Sequence, residues 1–142
     1  MIIVDVNLLL YAVNRDAPLH AKAKAWWQSV LNGAEAVGIP WNVVLAFLRL
    51  TTKAGAFGKP LPPDQAFDVV TKWLECPHVS IVDPVPEHLE TLRGLIVPLG
   101  TAGNLTSDAH LAAIAIGLNA QLCSSDGDFA RFSGLNWKNP LA

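Results

Sequence analysis

Four aspartates, widely separated along the chain, share one kind of address. Asp5 closes the opening run MIIVD, and Asp108 stands at the start of the apolar run TSDAHLAAIAIGL. Asp126 and Asp128 lie just past the apolar run NAQLC, in SSDGDF. In a parallel α/β sheet, strand C-termini and the N-termini of the following helices open onto one edge. Carboxylates this far apart in sequence are therefore expected to converge there. Carboxylates held together repel, and a bound divalent cation relieves the repulsion. An all-oxygen ligand set with no Cys/His group favours Mg²⁺ or Mn²⁺ over zinc. Such an ion polarises a phosphoryl oxygen and lowers the pKa of a bound water, so the chemistry these residues suit is phosphoester hydrolysis.

Each aspartate also has a bland reading. Asp5 follows four apolar residues directly, where an unpaired carboxylate is costly to bury; the alternative is that it caps the short helix behind it. Asp108 falls in a first helical turn, where an acid gains roughly 0.3–1 kcal/mol from the helix dipole without any further role. Asp126 comes soonest after its strand and so nearest the shared edge, whereas Asp128 follows the Asp-Gly pair of a turn. Asn7 can cap a helix or bond to Asp5. Ser124 and Ser125 can support Asp126 by local hydrogen bonds or merely shape the turn. Arg49, in an otherwise apolar helix, either suits that helix's C-terminal half or holds a carboxylate or phosphate. His110, one step beyond the Asp108 turn, orients a ligand or is an ordinary hydrogen-bonded helix residue. Trp26, Trp27 and Trp73 sit in amphipathic runs and read as core or interface.

The elements that must position these side chains alternate. Strands are expected at Ile2–Asp5, Ala36–Ile39, Val79–Val82 and Ala120–Cys123, with a fifth edge strand in the tail GLNWKNP. Helices are expected at Leu8–Val13, Leu19–Leu31, Asn42–Ala54, Pro63 to about Glu75, Pro86–Leu99, and from a Thr106 cap to Gly117. In the second of these, Ala21, Ala25, Trp26 and Leu31 are read among the apolar positions. The stretch GAFGKPLPPD, residues 55–64, reads as exposed turn. Strand–helix alternation implies right-handed crossovers and an α/β class: three α/β/α layers around a mostly parallel sheet of four or five strands, one domain over residues 1–142.

A chain of 142 residues can bury a substantial core. With 51% hydrophobic and 15% charged residues it is globular, not disordered. The opening apolar run is too short for a membrane span and lacks the flanks of a signal peptide, so a cytoplasmic protein is expected. Cys76 and Cys123 have neither CxxC pairing nor zinc spacing and read as free thiols. A formal net charge of −2 is unlike the basic footprint of most nucleic-acid binders. Any such partner is expected to meet a local surface such as Arg15, Lys22, Lys24, Arg49 and Lys53. No GxxxxGK[ST], GxGxxG or GxSxG is present, which argues against nucleoside-triphosphate, dinucleotide and serine-hydrolase readings.

Four segments in register resemble the PIN-domain ribonucleases, specifically the VapC-type toxins of bacterial toxin–antitoxin pairs: MIIVDVNLLLYA, IPWNVVLAFLRLTT, NLTSDAHLAAIAI and LCSSDGDFARF. The resemblance implies that Asp5, Asp108 and Asp126 hold Mg²⁺ or Mn²⁺, with Asp128 a frequent accessory. It implies a metal-dependent endoribonuclease that leaves a 5′-phosphate and a 3′-hydroxyl on tRNA, rRNA or mRNA. It further implies a small antitoxin protein as partner, and homodimerisation. The chain departs from the family at one place: the middle helix usually carries a glutamate a few residues before its arginine, and the matching place here is Ala46, three residues before Arg49. The site is thus one carboxylate short, leaving Asp128 or water to fill the place. Two rival readings stay open: a metal-dependent DNA nuclease or phosphatase on a similar sheet, and a module that binds RNA or protein without cleaving. For the phosphatase, the second acid expected two residues after the first is Asn7.

Overall fold

Ile2, Ile3 and Val4 are β-branched and fully enclosed, which suits them to the interior strand β1 (Ile2–Val4). The structure is a computed structural model that describes residues 1–55 and 58–142. Ala56 and Phe57, within the stretch read as turn, lie outside the described residues. Strand β1 leads into helix α1 (Val6–Val13), then α2 (His20–Leu31), β2 (Val37–Pro40), α3 (Trp41–Thr52) and α4 (Pro63–Glu75). Next come β3 (Val79–Val82), α5 (His88–Ile96), α6 (Thr106–Gly117), β4 (Gln121–Cys123) and β5 (Trp137–Lys138), with short 3₁₀ turns at Val97–Leu99, Gly103–Leu105 and Gly127–Arg131.

The five strands form one sheet in the order β3-β2-β1-β4-β5, parallel throughout. Ile2 pairs with Val37 on one side and Gln121 on the other. From β1 the chain steps outward to β2 and β3, then returns to β4 on the far side of β1. Right-handed crossovers put the helices of the outward path on one face and those of the return on the other. The packing agrees: α1 lies against α2 and α3, and α3 against α4, while α5 lies against α6. The order reverses between β1 and β4, so a crevice opens at their C-terminal ends.

Close packing holds the sheet at Gly38. A Cβ there would fall 2.7 Å from Ile3 Cδ1 and 2.8 Å from Val82 Cγ1, so both neighbouring strands use the space that glycine leaves. Phe47, Trp27 and Trp73 join α3, α2 and α4 edge to face, with ring centroids 4.9 Å (Phe47–Trp73) and 5.5 Å (Trp27–Trp73) apart.

Some boundaries and faces differ from expectation. Helix α1 begins at Val6 and not Leu8, because Asp5 and not Asn7 caps it: Val6 N donates to Asp5 Oδ1 at 2.7 Å. Thr106 is the first residue of α6, not its cap, and its hydroxyl donates back to the Gly103 carbonyl at 2.8 Å. Helix α5 stops at Ile96 because Pro98 cannot supply the next helical N–H; a 3₁₀ turn closes on Gly100, whose φ of 73° suits glycine. The buried face of α2 is Ala23 and Trp27, while Ala21 and Ala25 are exposed. Alanine covers too little area to set a helix's facing. Both cysteines are free thiols. Among the described residues no helix is long and apolar enough to cross a membrane.

Candidate metal centre

Every element at the crevice contributes its end residue. Asp5 is the first residue past β1, and Asn42 follows β2 by a single residue, in the first turn of α3. Asp108 is in the first turn of α6, and Ser124 is the first residue past β4. Asp5, Asn42, Ala46, Arg49, Ser107 and Asp108 line one cleft of about 280 Å³, walled otherwise by apolar side chains.

One serine links the end of β1 to the loop after β4. Ser124 is fully buried, and its hydroxyl donates to Asp5 Oδ2 at 2.6 Å while accepting from Asp126 N at 3.0 Å. Asp126 Oδ1 in turn accepts from Asp128 N at 2.9 Å, capping the 3₁₀ turn. Trp137 on β5 donates its indole N–H to the Ser124 carbonyl at 3.0 Å and ties the loop to the edge strand. This ladder presents the carboxylates toward Asp108: single oxygens of Asp108, Asp126 and Asp128 all lie within 4.8 Å of one another.

Asp5, Asp108 and Asp126 are thus gathered at one mouth of the sheet, as their shared address suggests. The trio in closest mutual reach, however, takes Asp128 in place of Asp5. Asp5 joins through Ser124 and by sharing the cleft with Asp108. Asp128 is exposed, with Arg131 at 3.8 Å, a weak contact between solvated groups. Arg49 lines the cleft with an exposed side chain. Asn7 is half-buried in the first turn of α1, and its Oδ1 is shut off from solvent without a hydrogen-bond partner. His110 faces α5: its Nδ1 lies 2.8 Å from His88 Nε2, the rings meeting edge to face, and it is not among the residues lining the cleft. Burial, and for His110 also the neighbouring ring, lowers both imidazole pKa values. Of the paired serines, Ser124 makes the contacts; Ser125 makes no side-chain hydrogen bond among those described. Asn42 and Ser107 had no place in the sequence reading as site residues. Asn42 had the same signal as Asp5, a polar residue just past an apolar strand.

The electrostatics suit a hard cation. Desolvation pushes the Asp5 carboxyl upward, against hydrogen bonds from Ser124 and Val6 that lower it. The Asp108 carboxyl is raised to about 6, first by desolvation and then by the charges of Asp126, Asp5 and Asp128. Mutual repulsion in a half-buried cleft with oxygen donors only is what a divalent cation such as Mg²⁺ or Mn²⁺ would relieve. Asn42 lines the same cleft, and its Oδ1, closed to solvent, accepts no hydrogen bond. The residues present therefore fit such an ion.

Comparison with known proteins places the chain in a family and agrees with the fold. The model of the PIN domain family matches residues 2–135. Ribonuclease VapC33 of Mycobacterium tuberculosis is 45% identical over 141 residues, covering 99% of each chain. Ribonuclease VapC37 of the same organism is 44% identical over 142 residues, covering 100% of this chain and 99% of the other. Among solved structures, VapBC2 from Rickettsia felis bound to a promoter DNA fragment superposes with a TM-score of 0.72 at 19% identity, over 98% of both chains, a likeness of fold.

Proposed function

The chain belongs to the PIN-domain family, among its VapC-type members, and from that premise we propose that it is a Mg²⁺- or Mn²⁺-dependent endoribonuclease acting in the cytoplasm as the toxin of a toxin–antitoxin pair. The observation that carries the reading is the carboxylate gathering of Asp108, Asp126 and Asp128, with Asp5 bonded into the same ladder. The ribonuclease names of relatives this similar along nearly their whole length support RNA as substrate.

Asp5, Asp108, Asp126 and Asp128 would hold the cation, which when bound supplies Lewis acidity toward a phosphoryl oxygen and a lowered pKa for water. The chain's own groups do the rest. Ser124 fixes the direction of the Asp5 carboxylate relative to Asp126. Arg49, on the cleft wall, would take a backbone phosphate by a charge-assisted hydrogen bond. Val6, Val43, Leu50 and Leu111 form an apolar wall that limits bulk water around the carboxylates. Asn7, Ser125 and His110 are left as supporting candidates, His110 acting only through the helix it shares with Asp108.

A protein partner is proposed as well. Trp27 is core, so it offers no docking surface. Trp41 and Leu45, one turn apart on α3, and Phe67 on α4 are 55%, 61% and 58% exposed and present the apolar area an antitoxin segment or a second copy of this chain would cover. One observation favours a second reading, a module that binds RNA without cleaving: Ala46 lines the cleft, at the place where the family resemblance implies a glutamate is usual.

Incubation of the purified chain with RNA and with single-stranded DNA, in Mg²⁺ or Mn²⁺, separates these readings. The expected result is RNA cleavage that Asp108→Asn lowers by at least about 100-fold with no loss of metal-free melting temperature. Equal cleavage by wild type and Asp108→Asn would overturn the proposal, and metal-induced stabilisation without cleavage would favour the binding module.

A further inference from the structure

Helix α3 lacks the acidic side chain at position 46, yet the same helix brings a different oxygen to the cleft. Asn42 lies one turn before Ala46, on the same face, and both line the cleft with Asp5 and Asp108. Helical side chains lean toward the helix N-terminus, over the preceding turn. A glutamate at 46 would therefore deliver its carboxylate to the level that Asn42 already occupies. The Asn42 amide is also incompletely satisfied: its Oδ1 is closed to solvent and accepts no hydrogen bond. Such an atom costs free energy unless something pairs with it. A half-turn about the terminal side-chain bond exchanges oxygen and nitrogen without moving other atoms, so the amide can present its oxygen to either side.

Building on the proposed metal-dependent function, we propose that Asn42 replaces the missing glutamate of α3 as a neutral oxygen donor to the cation, directly or through one of its waters. The exchange has a physical logic. The cleft holds Asp5 and Asp108, oxygens of Asp126 and Asp128 lie within 4.8 Å of one of Asp108, and carboxylates brought this close repel one another. A fifth carboxylate would tighten the ion but deepen that repulsion in its absence. An amide supplies the oxygen without the charge. The consequence is a site that holds its cation more loosely than one with a glutamate at position 46, and whose metal-free form is correspondingly less strained.

Mn²⁺ binding to the full chain, measured by calorimetry without RNA, tests this. Asn42→Ala is expected to weaken Mn²⁺ by about 10-fold while its metal-free melting temperature stays within a degree or so of wild type. Asn42→Asp, nearly isosteric, is expected to tighten Mn²⁺ by about 10-fold and lower the metal-free melting temperature. Adding Ala46→Glu to Asn42→Ala is expected to restore binding. Wild-type affinity in both Asn42→Ala and Asn42→Asp would overturn the inference while leaving the nuclease reading standing. Should Asn42→Ala not fold, unchanged affinity in Asn42→Asp alone overturns it. Failure of the wild type to bind Mn²⁺ at all would overturn both.

Discussion

A single hydroxyl sets the relation between two strand ends. Ser124 donates to Asp5 and accepts from the Asp126 amide, and it is wholly enclosed. Ser124→Ala would leave a carboxylate oxygen without its donor and a backbone N–H without its acceptor. Removing one partner of a buried pair costs about 1–3 kcal/mol. The expected result is a loss of that size in denaturant unfolding. Mn²⁺ affinity should fall by about 10–100-fold as well, since groups that orient metal ligands matter on that scale. Ser125→Ala should do less to both, and the reverse order would refute the assignment. The sequence presents these serines as equivalent neighbours. Which one turns inward depends on the register of β4 against β1 and β5, which pairs Val4 with Cys123 and leaves Ser124 next to the core. No local pattern carries that information.

At the scale of elements, strand and helix identity was legible because hydrophobic periodicity and end signals agree. The β-branched run of β1, Pro63 at the start of α4 and the VSIV of β3 mark their own limits. The site's address was legible for a related reason: a carboxylate immediately after a buried strand carries a desolvation cost that a cap or a bound cation must offset. What was not legible is packing between elements. Asp128, the frequent accessory in the family resemblance, stands in the closest trio because the loop after β4 curls into a 3₁₀ turn capped by Asp126. His110 turns toward α5 because His88 meets it there. Gly38 shows how packing reaches the site. Its missing Cβ makes room for Ile3 and Val82, and Ile3 is two residues from Asp5. Gly38→Ala would force that contact below van der Waals distance, costing about 1–3 kcal/mol. Thermal melting should show the loss, and Val82→Ala should return part of it by vacating one side. A Gly38→Ala protein as stable as wild type would mean that the sheet yields there without strain.

For the whole molecule, a net charge of −2 leaves nucleic-acid binding dependent on local groups. On the proposed function the acidic mouth must be neutralised before a phosphate can approach it, and protons and metal ions would compete for the same carboxylates. Asp108 is raised to about 6 in the folded chain, and Asp5 is raised as well. As pH climbs from the ordinary aspartate range toward about 6, the unfolded chain has already released the Asp108 proton while the folded chain still holds it, and Asp5 is displaced in the same direction. The folded state then binds more protons than the unfolded one. Stability from these groups is therefore greatest at the acid end of that window and declines as pH rises through it. A divalent cation held there, as proposed, would reverse the trend, because it would bind the ionised carboxylates and only the folded chain gathers them. Ligand stabilisation grows with concentration over dissociation constant, about 2.7 kcal/mol at a hundredfold excess. Melting curves with EDTA and with saturating Mn²⁺ should therefore nearly coincide near about pH 5 and diverge by several degrees near about pH 7.5. A Mn²⁺ shift of equal size at both pH values would mean that the ion binds elsewhere than at Asp5 and Asp108.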